Sequence, residues 1–414
     1  MFSDALLTEI RNRFAHVESC PFTGQRVFFE NAGGALTLNS VVETSARFAA
    51  IPDNQGRDNP ASKALQQVID RARDDVRRFF NASGGSVLVG ESGTELLFRL
   101  VRDACLGAAE GGIVLGSTME HPASRSACHR WAAESGRPHV LVAHDDATGT
   151  VTPEAYAAHV TPDTRVATVV HTSPVTGMGN DLPAIVAAIR AVAPDCFVIA
   201  DGIQHASHGL IDVAAAGVDG YVISPYKVFS RHGYGVAWAS DRLTALAHDS
   251  LVGGPAGNWE LGTRDTGAYA TMSDVVGYLD WLGGQMSDTA EQRARLVAAG
   301  AAIKAHERAL TDAMLFGTGN LKGLTEIEGV RVIGGAENAA REGLVSFWIE
   351  GRPSAEIVTT LNEEGIRTHL RKADHYSGNV LHPLGQDDCV RVSLCHYNSM
   401  DEVRAFLAAM ARLG

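Results

Sequence analysis

At 414 residues the chain is too long for one ordinary hydrophobic core, so a large domain with a smaller companion is the default organisation. Hydrophobic residues at 45% and charged residues at 20% describe an ordinary globular protein. A net charge of −13 without any Lys/Arg-rich run argues against nucleic acid or a membrane surface as partner, which leaves small metabolites as the expected ligands.

The N-terminal stretch MFSDALLTEIRNRF carries acids and lacks an apolar core of signal-peptide length, and no apolar run reaches membrane-spanning length; a cytoplasmic protein is expected. Residues 64–80 place Leu65, Val68, Ile69, Ala72, Val76 and Phe79 at helical spacing, an amphipathic helix leading into the main domain. After the turn at 82–85, short β-rich runs recur at 87–89, 113–115, 140–143, 166–170, 197–200, 221–223 and 236–239. Helix-compatible segments separate most of them, the alternation of an α/β fold. Seven strands then form a mostly parallel central sheet, with the last a candidate antiparallel edge.

The stretch 197–235 organises the rest. Its first apolar run ends at Asp201 and its second in Ser224-Pro225-Tyr226-Lys227, while 210–216 can supply the crossover helix. Ligands of such sheets bind beyond the carboxyl ends of the strands, so Asp201 and Lys227 arrive at one rim. The spacing reads equally as an ion pair or as a catalytic pair. Beyond about Gly284 the pattern becomes a long helical stretch, then strands at 330–333, 344–349, 368–370 and 390–394 with helices at 354–364 and 400–413, a small α+β unit.

Other residues acquire meaning beside that rim. Gly93-Thr94-Glu95 follows the first strand and opens a helix, whose free N–H groups suit a phosphate, although Ser92 or Thr94 also reads as a plain N-cap. Ser224 adds a second hydroxyl. His121, one of 16 histidines, follows the second strand and can overhang the same place. Arg391 lies in an apolar strand and needs a carboxylate, from the protein or from a ligand. The six cysteines (Cys20, Cys105, Cys128, Cys196, Cys389, Cys395) are scattered without a C-x-x-C pair, so neither a disulfide framework nor a zinc site is indicated.

Asp201-Gly202-x-Gln204, followed after 26 positions by Ser224-x-x-Lys227, with Gly93-Thr94-Glu95 and Glu120-His121 upstream, resembles the class V aminotransferase family of fold type I pyridoxal-phosphate enzymes. The resemblance runs almost end to end, through Phe29-Glu30-Asn31-Ala32-Gly33-Gly34, Trp259-Glu260-Leu261-Gly262-Thr263 and Arg391 to Asn398, and is greatest to the cysteine-desulfurase-like subgroup. It implies an N-terminal segment at 1–30 packing with the small domain, a large pyridoxal 5'-phosphate-binding domain at 31–284 and a small C-terminal domain at 285–414. It also implies that Lys227 holds the cofactor as a Schiff base and shuttles the Cα proton, with Asp201 on the pyridine nitrogen, Gln204 on the ring's phenolic oxygen and His121 stacked on the ring. Gly93, Thr94, Ser224 and Tyr226 hold the phosphate, and Thr263 reaches the phosphate of the other subunit in a homodimer with shared sites. Arg391 and Asn31 are the implied substrate-binding residues.

Three positions depart from the desulfurase pattern. Tyr226 precedes the lysine where histidine is common, as in kynureninase-like members; Thr172-Ser173-Pro174 follows His171 where His-x-Ser is followed by asparagine; and the loop 371–379 holds no cysteine. The implied activity is attack at Cα of a small amino acid, with an aminotransferase as the leading expectation. A C–S or other β-lyase of the desulfurase-like kind is the alternative, ahead of a racemase or a non-catalytic cofactor-binding protein.

Overall fold

The computed structural model describes residues 1–255 and 257–413. Its first long helix, α1, spans Pro60–Phe80. The Asn59 side chain accepts from the Ser62 N–H and Pro60 occupies the first turn, so the cap rather than the apolar stripe sets the start, ahead of the periodicity.

The central sheet consists of β1 (Ser86–Gly90), β2 (Ile113–Ser117), β3 (His139–Val142), β4 (Thr164–Val170), β5 (Phe197–Asp201), β6 (Gly220–Ile223) and β7 (Gly235–Ala239). Their spatial order is β1-β7-β6-β5-β4-β2-β3. The strands from β6 to β3 run parallel, whereas β7 is antiparallel to both β6 and β1. The antiparallel expectation for the last strand holds, but its place at the edge does not. Every residue of β7 is buried, all five pair with β1 and Val236 to Ala239 also pair with β6, so β1 takes that edge instead. A short apolar run carries the signature of a buried strand without revealing its direction or neighbours. The expected crossover helix at 210–216 shrinks to one turn, Val213–Ala216, capped by Asp212 and stopped by Gly217 in the left-handed conformation.

Helices α2 (Gly93–Gly107), α3 (Pro122–Glu134) and α4 (Leu182–Val192) flank the sheet, and α5 (Thr266–Met286) and α6 (Gln292–Phe316) follow. A second, antiparallel sheet has the order β8 (Val330–Val332), β9 (Leu344–Ile349), β11 (Asp388–Ser393), β10 (His369–Lys372), with α7 (Ser354–Glu363) and α8 (Met400–Leu413) packed on it. The N-terminal stretch touches both layers. Ile10 and Phe14 join the core of the large sheet, while Val27–Phe28 pairs with Ile366–Arg367 and Phe29 enters the core of the small one.

Candidate active site

Parallel pairing of β5 with β6 sets Asp201 opposite Val222, so Asp201 and the turn Pro225–Lys227 emerge at one rim. Both side chains are buried, yet among the described residues they form no ion pair with each other or with any other charge. Asp201 Oδ1 accepts from the Ile203 N–H at 3.0 Å and Oδ2 from the Ser124 hydroxyl at 3.2 Å. Lys227 Nζ donates to Gln204 Oε1 at 3.3 Å. Burial pushes the Asp201 carboxyl up and, with the neighbouring charge of Arg391, holds Lys227 down to about 8. The simple ion-pair reading is therefore set aside: an acid and an amine lie buried together without neutralising one another.

Beside them the backbone makes a cradle. α2 begins at Gly93, and the Ser92 side chain accepts from the Glu95 N–H at 3.1 Å, which leaves the N–H groups at the very tip free of that cap. A Cβ on Gly93 would stand 2.4 Å from Ser224 Oγ, and one on Gly235 only 2.3 Å from the Ser92 carbonyl carbon. Glycine at both places lets β7, Ser224 and the tip of α2 converge, with Thr94 in the first turn. This donor set suits a phosphate. Tyr226 lies next to it, stacked on His232 at 4.3 Å.

His121 caps α3, its Nδ1 accepting from the Ala123 N–H at 3.0 Å. Burial and the positive charges of Lys227, Arg371 and Arg125 depress it to about 3, so the ring is a neutral, flat surface. The edge of Tyr376 meets it at 4.6 Å, and the Arg371 guanidinium lies 4.0 Å over the other aromatic ring. Arg371 Nε also donates to Ser377 Oγ at 3.0 Å. The loop that carries Tyr376 is tied across the rim, Arg125 donating to the His375 carbonyl at 2.5 Å and Asn379 to that of Thr118.

Arg391 reaches the rim from β11. Its Nη1 donates to the Pro174 carbonyl at 3.0 Å, its Nε is buried without a partner, and among the described residues no carboxylate pairs with it. Asn31 does not share this freedom. Its Nδ2 donates to Ser393 O at 2.8 Å and to Asn398 Oδ1 at 3.2 Å, and its Oδ1 accepts from the Tyr397 hydroxyl. The structure thus commits the Asn31 side chain to protein contacts rather than to substrate, and its effect on the site is to hold the chain where Gly33 passes Arg391. Thr263 stands apart, exposed on the segment before α5.

The residues present fit pyridoxal phosphate. Among the described residues Asp201 makes no ion pair with a protein cation and can take a protonated pyridine nitrogen, the Gly93 cradle offers donors that suit a phosphate, and Lys227 at the same rim has an amine with a lowered pKa. Several neighbours carry no signal in the sequence strong enough to assign them. Ser124 bonds Asp201 only because α3 turns it inward, three residues after His121. Glu120 Oε1 accepts from the Val170 N–H at 2.8 Å, and burial, with Asp201 nearby, pushes it up to about 8, so it stands as a neutral acid.

The family model described as aminotransferase class-V matches residues 27–269 and 291–406. A "Probable cysteine desulfurase" of Pseudomonas putida is 29% identical over 361 residues, 83% of this chain and 82% of that protein. "Cysteine desulfurase-like protein ustD" of Aspergillus flavus is 27% identical over 407 residues, 94% of this chain and 87% of that protein. Among solved structures, the cysteine desulfurase CsdA of Escherichia coli superposes with a TM-score of 0.79 at 21% identity, over 100% of this chain and 98% of that one, a likeness of fold.

Proposed function

This chain belongs to the aminotransferase class-V family, whose members are pyridoxal-phosphate enzymes, and we propose that it removes the Cα proton of a small amino acid, with transamination as its reaction. The observation that carries this reading is the burial of Asp201 and Lys227 at one rim without mutual pairing. The cofactor, when bound, supplies the electron sink for the carbanion at Cα. Lys227 would hold it, and its amine, lowered to about 8 by burial, gives up its proton more readily than an ordinary lysine, which suits both that attachment and proton transfer at Nζ. Asp201, fixed by Ser124 and Ile203, keeps the pyridine nitrogen protonated. His121 would cover the ring and Gln204 would donate to its phenolic oxygen. Gly93, Thr94, Ser224 and Tyr226 hold the phosphate, and Arg391 takes the substrate carboxylate on its Nε and Nη2 edge.

A second reading, sulfide-releasing β-elimination, is favoured by the desulfurase names of the relatives. Persulfide formation is not part of it. The loop that carries Tyr376 offers no thiol, and Cys389 and Cys395 are buried, with burial pushing Cys389 up to about 12 and raising Cys395 well above the ordinary thiol value.

We also propose a cytoplasmic homodimer with shared sites. The exposed Leu251 and Val252 precede the exposed Thr263, an apolar patch that a second subunit can cover. Among the described residues no helix is long and apolar enough to cross a membrane. The test of function is a panel of amino acids, with and without keto acids, the products identified by mass spectrometry. Amino transfer to a keto acid supports the leading reading, sulfide or ammonia with pyruvate from cysteine supports the second, and no turnover of any member by cofactor-loaded protein rejects both.

A further inference from the structure

Behind Gln204 lies a second polar chain that the chemistry of Lys227 and Asp201 does not use. Gln204 Nε2 stands 3.1 Å from His208 Nε2, and His208 Nδ1 stands 2.8 Å from Glu307 Oε2 on α6. All three side chains are buried. Gly343 keeps the space open, since a Cβ there would lie 2.8 Å from Glu307 Oε2 and 3.0 Å from His208 Cε1. The other titratable groups facing His208 are Glu342, Lys227, His396 and Cys395. Ligand atoms of His208, Glu307 and Cys395 lie within 4.8 Å of one another, but the 2.8 Å separation of the first two is a hydrogen bond. Two ligands sharing a tetrahedral zinc about 2.0 Å away would stand about 3.3 Å apart.

Each donor in this chain constrains the next. Lys227 donates to Gln204 Oε1, so the N–H end of the amide faces His208 Nε2, which must accept and carry its proton on Nδ1 toward Glu307. The phenolic oxygen of pyridoxal phosphate is an acceptor and reverses this demand. Gln204 must then turn its N–H end to the cofactor and its Oε1 to His208 Nε2, where lone pairs would oppose one another unless His208 gains a proton. Glu307 is the counterion for that imidazolium. Burial works against the charged ring, yet Glu307 more than offsets it and His208 is held above the ordinary histidine value.

We propose that His208 and Glu307 are positioning residues that decide which end of Gln204 faces the cofactor, and that loading the site is coupled to uptake of one solvent proton on His208 Nε2. The proposal rests on Lys227 and Gln204 being the cofactor's partners.

The test loads the wild type, Glu307→Gln and His208→Gln with pyridoxal phosphate and follows the visible absorbance of the bound cofactor against pH. Donation from Gln204 favours the phenolate, so each variant should raise the midpoint by about one pH unit. Titration calorimetry in buffers of different ionisation heat should count about one proton fewer taken up on loading either variant. Folded variants that keep the wild-type midpoint and proton count would overturn the proposal. So would failure of both variants to fold, which would make the pair purely structural; if only one folds, it decides. A wild type that binds no cofactor defeats instead the reading of Lys227.

Discussion

Replacing Arg391 with lysine keeps a positive charge at the rim and removes the geometry. Arg391 Nη1 is held by the Pro174 carbonyl at 3.0 Å while Nε is buried without a partner, so the Nε and Nη2 edge can meet both oxygens of a carboxylate side by side. A lysine ammonium offers a point contact and forfeits one charge-assisted hydrogen bond in a desolvated place, about 1.5–3 kcal/mol. That loss corresponds to a roughly 10- to 150-fold fall in kcat/KM for the amino acid substrate. The assay compares kcat/KM per loaded site, the dissociation constant of the cofactor and the melting temperature in Arg391→Lys and wild type. Unchanged kcat/KM, or a variant that fails through lost cofactor or unfolding, would refute the assignment and leave Arg391 a structural residue of β11.

Lys227 also makes a stability prediction. Its folded pKa of about 8 lies below the ordinary 10.5, so the unfolded chain binds more protons between those values and the burden on the fold is full below about pH 8 and relieved as pH rises to about 10.5. Apoprotein carrying Lys227→Met should therefore be more stable than wild type at pH 7 by about 3 kcal/mol, a difference that shrinks toward pH 10.5 in parallel urea titrations; a pH-independent difference would contradict it. Mixing inactive Lys227→Ala with an inactive Thr263 variant should restore part of the activity after subunit exchange, and no recovery after verified exchange rejects the shared site. Incubation with L-cysteine, alkylation and mapping should find no cofactor-dependent persulfide on Cys389, Cys395 or elsewhere, whereas a stoichiometric one restores the desulfurase reading.

The seven central strands and their rim were legible because buried parallel strands announce themselves as short apolar runs, and Asp201 and Lys227 each close one. The neighbours were not, since pairing of β7 with β1 depends on residues 145 to 153 positions apart that no local pattern links. Gly93 and Ser224 were readable as motif members, but the reason for the glycine, a 2.4 Å clash with Ser224 Oγ, exists only in three dimensions. Asn31 is the opposite case: the resemblance implied a substrate contact, whereas Tyr397, Ser393 and Asn398, far along the chain, hydrogen-bond its side chain. Glu307 was invisible because it reads as one more acid on an Ala-, Arg- and Glu-rich helix until His208 is seen against it.

The most direct measurement of the central claim is borohydride reduction of the protein loaded with pyridoxal phosphate, followed by peptide mapping. The chain has four other lysines, Lys63, Lys304, Lys322 and Lys372, so the outcome is unambiguous. Stoichiometric pyridoxyl on Lys227 alone is predicted, because only Lys227 is buried at the rim with a lowered pKa beside Asp201 and the Gly93 cradle. Label on any of the other four with Lys227 unmodified would contradict the account.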